Sequence, residues 1–124
     1  MVRVLVALEP RSYREAIGRA IEEARLQASV YLLDSDPLNY EAYEANLDYE
    51  TDYLKPHVVL CHQTTPAVRE LAICWVKILI CDQLQAVVSI AGEAKMVPNI
   101  SLSELISVID EANVLTAGAS PSGV

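Results

Sequence analysis

The sequence predicts an α/β fold in which strands and helices alternate around a mostly parallel sheet. Three short apolar runs rich in β-branched residues, at positions 2–8, 29–33 and 58–61, read as strands. The segments between them, 13–27 and 40–54, place apolar side chains at helical spacing. Continuous runs of this kind are typical of strands buried on both faces, and their alternation with helices predicts a doubly wound sheet.

Length and composition indicate one domain with an aliphatic core. The chain has 124 residues, of which 52% are hydrophobic, so it can bury a core and is not a disordered chain. Phe is absent and Trp occurs once, so aliphatic side chains must fill most of this core. We expect residues 1–115 to form a single domain and residues 116–124, which are mostly Gly, Ala, Ser and Pro, to form a flexible tail.

Charge and hydropathy bear on partners and location. The net charge of −8 disfavours nucleic acid and anionic membranes, since both attract basic surfaces. The longest apolar stretch, residues 71–81, contains Lys77 and is too short to cross the ~30 Å core of a bilayer. The three cysteines lie in apolar segments, which indicates buried, reduced thiols. Because no secretion signal precedes the first strand, we expect a cytoplasmic protein.

Three helix starts carry sequence signals. Ser12 and Glu15 have the spacing of a capping box, so a helix is predicted over 13–27. Its predicted buried stripe consists of Tyr13, Ala16, Ile17, Ala20, Ile21 and Ala24. Thr65-Pro66 predicts an N-cap followed by proline at the first position of a short helix. Ser101 and Glu104 repeat the capping-box spacing before the last helix.

The second half of the chain predicts a hairpin. Residues 75–80 and 85–91 read as strands 4 and 5, separated by four residues. A parallel crossover needs a dozen or more residues, so strand 5 must run antiparallel to strand 4. Residues 92–99 are predicted to form a loop, which makes strand 5 an edge. The expected architecture is therefore a five-stranded sheet in the flavodoxin-like order 2-1-3-4-5, with helices on both sides in three layers.

Three segments resemble the receiver domain of response regulators (CheY-like). They are residues 3–7, Arg14-Glu15 and residues 56–60, and the resemblance covers residues 1–65. In that family strand 1 ends in an acidic pair that binds magnesium, and strand 3 ends in the aspartate that is phosphorylated. The hairpin stands where the family has its fourth helix, so that helix is expected to be missing. His57, which precedes strand 3, is expected on the surface.

The residues at the family's phosphorylation site differ from its pattern. Leu8 and Glu9 stand where the acidic pair belongs, and His62 stands where the acceptor aspartate belongs. Asp82 matches the residue after strand 4 only loosely, and residues 90–92 replace the family's Lys-Pro. The resemblance therefore implies a degenerate pseudo-receiver that is not an enzyme, uses no cofactor or metal and signals through protein contacts in a bacterial cytoplasm.

A second hypothesis is a small-molecule or nucleotide-sensing cleft. Glu9, Asp34, His62 and Thr64 all follow predicted strands, and a Glu9–His62 pair would suit general acid–base work in a third hypothesis. The alternative is that polar residues end strands because strands end in solvent. No glycine occurs before Gly18, so a phosphate-binding turn after strand 1 is disfavoured.

Two surfaces are candidates for contact with a protein partner or a second copy. The first is the tyrosine-rich helix at 40–54, where Tyr40 and Tyr43 suit the core and Tyr49 and Tyr53 suit an interface. An amphipathic helix that uses Tyr in place of Phe is an equal alternative. The second surface is the edge of strand 5, whose candidate interface residues are Val87, Val88 and Ile90, and it favours a homodimer.

Overall fold

The structure is a computed structural model that describes residues 2–33, 40–79 and 85–118. The predicted sites at Asp34 and Asp82 lie outside the described residues. The strands are β1 (Arg3–Ala7), β2 (Ser29–Leu32), β3 (Val58–Cys61), β4 (Cys74–Leu79), β5 (Gln85–Ile90) and β6 (Glu93–Pro98). The helices are α1 (Arg11–Ala24), α2 (Tyr40–Leu54), α3 (Pro66–Leu71) and α4 (Leu102–Gly118).

The described strands form one mixed sheet in the order β2-β1-β3-β4-β5-β6. Strands β1 to β4 are parallel, and β5 runs antiparallel to β4, which confirms the predicted hairpin. The prediction of five strands is wrong. Ala91 and Gly92 both have positive φ, 52° and 89°, and form the two-residue turn of a second hairpin. The segment predicted as a loop is therefore mostly strand β6.

The sequence predicts β5 to be an edge strand, but in the structure it is an interior strand. Its backbone is paired with β4 on one side and β6 on the other. Val88 is buried, while Val87 and Ile90 are half-buried. The exposed edge on which the predicted strand-5 interface depends belongs to β6 instead.

Helices pack on both faces of the sheet, because the strands present apolar side chains alternately to each side. One buried cluster joins one face of the sheet to α1 and α4, and includes Val4, Val6, Leu60, Val76, Ile21, Leu105 and Ile109. The other joins the opposite face to α2 and α3, and includes Leu5, Ala7, Val59, Cys61, Tyr43, Leu47 and Val68. The predicted core position of Tyr43 is thus confirmed.

One part of the α2–α3 face lacks a helix in the described chain. Helices α2 and α3 pack over β1 and β3, so side chains of the last three strands on this side remain partly open. Lys77 and Val87 are half-buried neighbours in register, and Met96 beyond them is 56% exposed. Trp75 packs at the border of the buried cluster on this face.

The predicted helix starts have different outcomes. Helix α3 has Thr65 as its N-cap, and the hydroxyl of Thr65 accepts a hydrogen bond from the N–H of Val68, as expected. The capping box of α4 is also present, because Ser101 and Glu104 exchange bonds of 3.1 and 3.2 Å. The prediction of a capping box for α1 is wrong. This helix begins at Arg11 with Pro10 as its N-cap and has no side-chain cap.

The buried face of α1 also differs from the predicted stripe. Its buried residues are Arg14, Gly18 and Ile21, whereas Ala16 and Ala24 are exposed. The packing of α1 on β2 explains part of this rotation, since a Cβ at Gly18 would lie 2.7 Å from the Leu32 side chain. The helix therefore approaches the sheet through its glycine.

His57 is half-buried and not the surface residue that the sequence predicts. Its Nδ1 accepts a hydrogen bond of 2.9 Å from the backbone N–H of Arg3. The Arg3 guanidinium in turn donates to the carbonyls of Leu54 and Lys55. Burial, followed by the nearby Arg3 charge, lowers the pKa of His57. This network fastens the end of α2 to the start of β1.

Among the described helices, none has both the length and the apolar character needed to cross a membrane.

Candidate functional site

The parallel strands β1, β3 and β4 end side by side at what we call the carboxyl edge. Ala7, Cys61 and Lys77 are aligned across these strands. The residues that follow, Glu9 and His62, are therefore neighbours, as the sequence predicts for side chains that follow adjacent parallel strands.

Both ring nitrogens of His62 are engaged at this edge. Its Nε2 accepts a hydrogen bond of 2.8 Å from the backbone N–H of Glu9. Its Nδ1 lies 3.0 Å from the carbonyl oxygen of Ile78, which can only accept. These partners assign a neutral imidazole with its proton on Nδ1. No ring nitrogen is left with a free lone pair to act as a base or nucleophile.

Tyr43 of α2 closes the same edge from the side. Its hydroxyl donates to the carbonyl of Ala7 at 2.7 Å and accepts from the backbone N–H of His62 at 2.8 Å. The side chain is only 5% exposed. Burial, with smaller contributions from Cys61 and Glu9, raises the pKa of Tyr43 far above its ordinary value, so the phenol remains a donor.

Cys61 is a packed core thiol at the last position of β3. It is fully buried, and its Sγ lies 3.6 Å from the carbonyl oxygen of Val76. Burial raises the pKa of the Cys61 thiol to about 12, even though the charge of Lys77 acts in the opposite direction. The thiolate that a nucleophilic cysteine needs is therefore disfavoured.

Glu9 meets His62 through its backbone and not through its carboxylate. The side chain is half-buried, and Oε1 has no hydrogen-bond partner among the described residues. The predicted acid–base pair thus lies in one place without the carboxylate–imidazole hydrogen bond that it would need. The structure instead leaves one buried carboxylate oxygen at this edge.

Arg14 is a residue of this edge that lies outside the buried stripe predicted for α1. It is only 1% exposed, and its Nη1 donates to the carbonyl of Leu8 at 3.3 Å. The sequence carries no local signal for this burial, because charged side chains are almost never fully buried unless they are paired. A buried cation therefore lies beside Leu8 at the end of β1.

Thr64, the fourth residue of the predicted cleft, is tied to α3. Its Oγ1 accepts a hydrogen bond of 2.9 Å from Nη1 of Arg69. The structure therefore brings together Leu8, Glu9 and His62, whereas Thr64 has a different partner. Within the described ranges, no group of three or more His, Cys, Asp or Glu side chains is arranged to hold a metal ion.

The predicted contact residues of α2 form an exposed aromatic pair. Tyr49 and Tyr53 are 68% and 73% exposed. They are one helical turn apart, and their rings are parallel to within 2° with centroids 6.3 Å apart. The two phenols therefore form one exposed, stacked aromatic pair on α2.

Comparison of the chain with protein-family models, with curated proteins and with solved structures gives no match. The function must therefore be inferred from the chemistry of the chain's own residues.

Proposed function

We propose that this chain is a receiver-like regulatory module that acts through protein contacts, without phosphorylation, in a bacterial cytoplasm. The order of the first five strands and the four parallel strands are compatible with a receiver-like framework. The observation that carries the proposal is the state of His62. At the position of the family's acceptor aspartate, it is a ring with both nitrogens bonded to backbone groups.

The other groups of the phosphorylation chemistry are reduced as well. Transfer of a phosphoryl group to aspartate needs a nucleophilic carboxylate, a divalent cation held by acidic groups and a cation on the phosphoryl oxygens. Leu8 is apolar and fully buried where one acid would stand, and Glu9 is the remaining carboxylate. This combination supports a scaffold whose carboxyl edge stabilises the fold and does not carry out phosphoryl transfer.

The exposed pair Tyr49–Tyr53 supports the second half of the proposal, which is contact with another protein. Tyrosine offers a large rigid surface and a hydroxyl at low entropic cost, and it is enriched among residues that dominate binding energy. The same helix carries a run of acidic side chains, so the partner surface is expected to be basic.

Treatment with acetyl phosphate and Mg²⁺ tests phosphorylation independence. We expect the intact mass to remain unchanged, whereas a phosphorylatable receiver treated in parallel gains about 80 Da. An adduct of that mass on the native chain would contradict the proposal. Peptide mapping would then show which residue accepts the group.

Substitution of the tyrosine pair tests the contact surface. Partners captured by the native chain are identified and purified, and their affinities for the variants Tyr49→Ala and Tyr53→Ala are measured by titration. We expect each variant to weaken binding by about 1 kcal/mol or more, the range of interface hot spots. Tyr31→Ala, at a partly exposed tyrosine of β2, is the matched control and should bind normally.

The buried Oε1 of Glu9 favours one second candidate, a small-molecule sensor at the carboxyl edge. A ligand that donates a hydrogen bond or carries a positive charge would satisfy this oxygen. Such a ligand at a hundred times its dissociation constant would stabilise the chain by about 2.7 kcal/mol. A thermal-shift screen of amines and nucleotides tests it, with Glu9→Gln as the variant that should lose the response.

A further inference from the structure

Strand β6 is the open edge of the sheet in the described chain. Strand β5 pairs with it on one side, and no described strand pairs with the other. Its residues are exposed except for the half-buried Val97. Unpaired N–H and C=O groups on such an edge invite another strand.

The direction of each backbone group along this hairpin follows from one hydrogen bond. The N–H of Ala91 donates to the carbonyl of Ile73 at 2.9 Å, so Ala91 is directed toward β4. Polar groups alternate along an antiparallel strand, so those of Ile90 are directed toward β6. Ile90 is opposite Glu93 in the register, and Glu93 therefore bonds to β5.

The same alternation identifies the groups on the open side. Lys95 and Val97 bond to β5, whereas Ala94, Met96 and Pro98 direct their backbone groups outward. Pro98 has no backbone N–H, and an N–H at this position would point outward. The pairing of β6 with β5 therefore loses no hydrogen bond. The edge thus offers two donors and three acceptors to a further strand.

The residues of β6 themselves carry no net charge, although the acids Glu104 and Glu111 of α4 line the groove beside them. Glu93 and Lys95 balance each other on β6, although the whole chain carries a net charge of −8. Next to them, Met96 exposes an apolar side chain on the sheet face that no described helix covers. Two copies of an acidic protein repel each other least where this neutral, partly apolar strand of one copy pairs with the same strand of the other.

We propose that β6 pairs with β6 of a second copy, antiparallel about a two-fold axis through Met96. This inference deepens the proposed function and rests on it for the expectation that the chain acts through protein contacts. In this register the two Met96 residues exchange two hydrogen bonds, and each Ala94 N–H donates to the Pro98 carbonyl of the other copy. The two six-stranded sheets become one sheet of twelve strands.

Charge selects this register over its nearest competitor. Centring the pair on Lys95 would set two lysines directly opposite each other, which is destabilising. Centring it on Met96 sets Lys95 of the second copy beside Val97. A groove of about 250 Å³ between the second hairpin and α4 is lined by Val97 together with the chain's own Lys95 and the acids Glu104 and Glu111. The incoming lysine therefore meets two acids and one lysine, a net negative charge.

Sedimentation velocity tests the pairing. We expect the native chain to sediment at twice the monomer mass, and Met96→Lys or Met96→Pro to halve that mass. Met96→Pro removes only an outward N–H, and unfolding by circular dichroism checks that each variant folds. Leu26→Lys makes the same change of charge at a distant side chain that is 88% exposed, and should stay dimeric. A monomeric native chain, a dimeric Met96 variant or a monomeric Leu26→Lys variant would overturn the inference.

Disulfide cross-linking tests the register in a chain with Cys81→Ser, since Cys61 and Cys74 are buried. Paired residues about 5.5 Å apart at Cα permit a disulfide. Mild oxidation should therefore cross-link Met96→Cys faster than Lys95→Cys, and the reverse order would overturn the register. If the chain fails these tests but its Tyr49→Ala and Tyr53→Ala variants still lose affinity for the protein partner, the proposed function stands. A phosphoryl adduct overturns the proposed function whatever the mass of the assembly.

Discussion

The imidazole of His62 accepts a 2.8 Å hydrogen bond from the N–H of Glu9, which joins the ends of β3 and β1. The same ring bonds the carbonyl of Ile78 in β4, on the opposite side of β3. One side chain on the central strand therefore holds both of its neighbours. His62 therefore has a structural role at the carboxyl edge, where it links three strands.

Removal of this ring should cost stability. His62→Ala leaves the N–H of Glu9 and the carbonyl of Ile78 without their partner, which we expect to lower the free energy of unfolding by about 1–3 kcal/mol. Urea titration followed by circular dichroism measures the change. Gln63→Ala replaces the next, similarly half-buried residue and should have a smaller effect. Equal losses in the two variants would contradict the role assigned to the imidazole.

The hydroxyl of Tyr43 should contribute separately. Tyr43→Phe keeps the ring in the core but removes the bonds to the Ala7 carbonyl and the His62 N–H. We expect a loss of about 1–3 kcal/mol, because buried polar groups remain unsatisfied. Tyr49→Phe, at an exposed tyrosine of the same helix, should change stability by less than about 0.5 kcal/mol. Comparable urea midpoints for the two variants would be the contrary result.

His57 should make stability depend on pH. Its pKa is lowered in the folded chain, whereas in the unfolded chain it is about 6.5, so the unfolded state binds protons more readily below that pH. The contribution of His57 is therefore complete above pH ~6.5 and is lost as pH falls through the folded pKa. His57→Asn keeps an acceptor for the Arg3 N–H but does not titrate. Urea unfolding between neutral and mildly acidic pH should show a smaller decline for this variant than for the native chain.

Cys61 should resist alkylation while the chain is folded. Its buried thiol has a pKa raised to about 12, so little thiolate forms near neutral pH. Iodoacetamide followed by peptide mapping should label Cys61 only in denaturant. Rapid labelling in the native chain would mean that the carboxyl edge opens.

The strands that the sequence predicts correctly are those whose burial is visible as a continuous run of apolar side chains. The continuous apolar runs of β1 and β3 and the short link before Gln85 are sufficient for the parallel order and the first hairpin. Strand β6 lacks this signal, because an exposed edge buries little and Glu93–Pro98 has no apolar run. The only local sign of it is the Ala91-Gly92 turn, which resembles a loop when read alone.

The location of the site could be predicted from the sequence, but the hydrogen bonds within it could not. The adjacency of Glu9 and His62 follows from strand ends that share one edge. Whether an imidazole there is free or bonded depends on how the N–H of Glu9 and the carbonyl of Ile78 approach it from elements distant in sequence. The burial of Arg14 was missed for the same reason, since it depends on the angle at which α1 crosses the sheet.

His62 closes the carboxyl edge with both ring nitrogens. A long-range proton–nitrogen correlation spectrum of the folded chain at neutral pH tests it most directly. We expect a single neutral form of His62, with the proton on Nδ1 and a hydrogen-bonded lone pair on Nε2. A ring with its proton on Nε2, or one that exchanges freely between both forms, would contradict it.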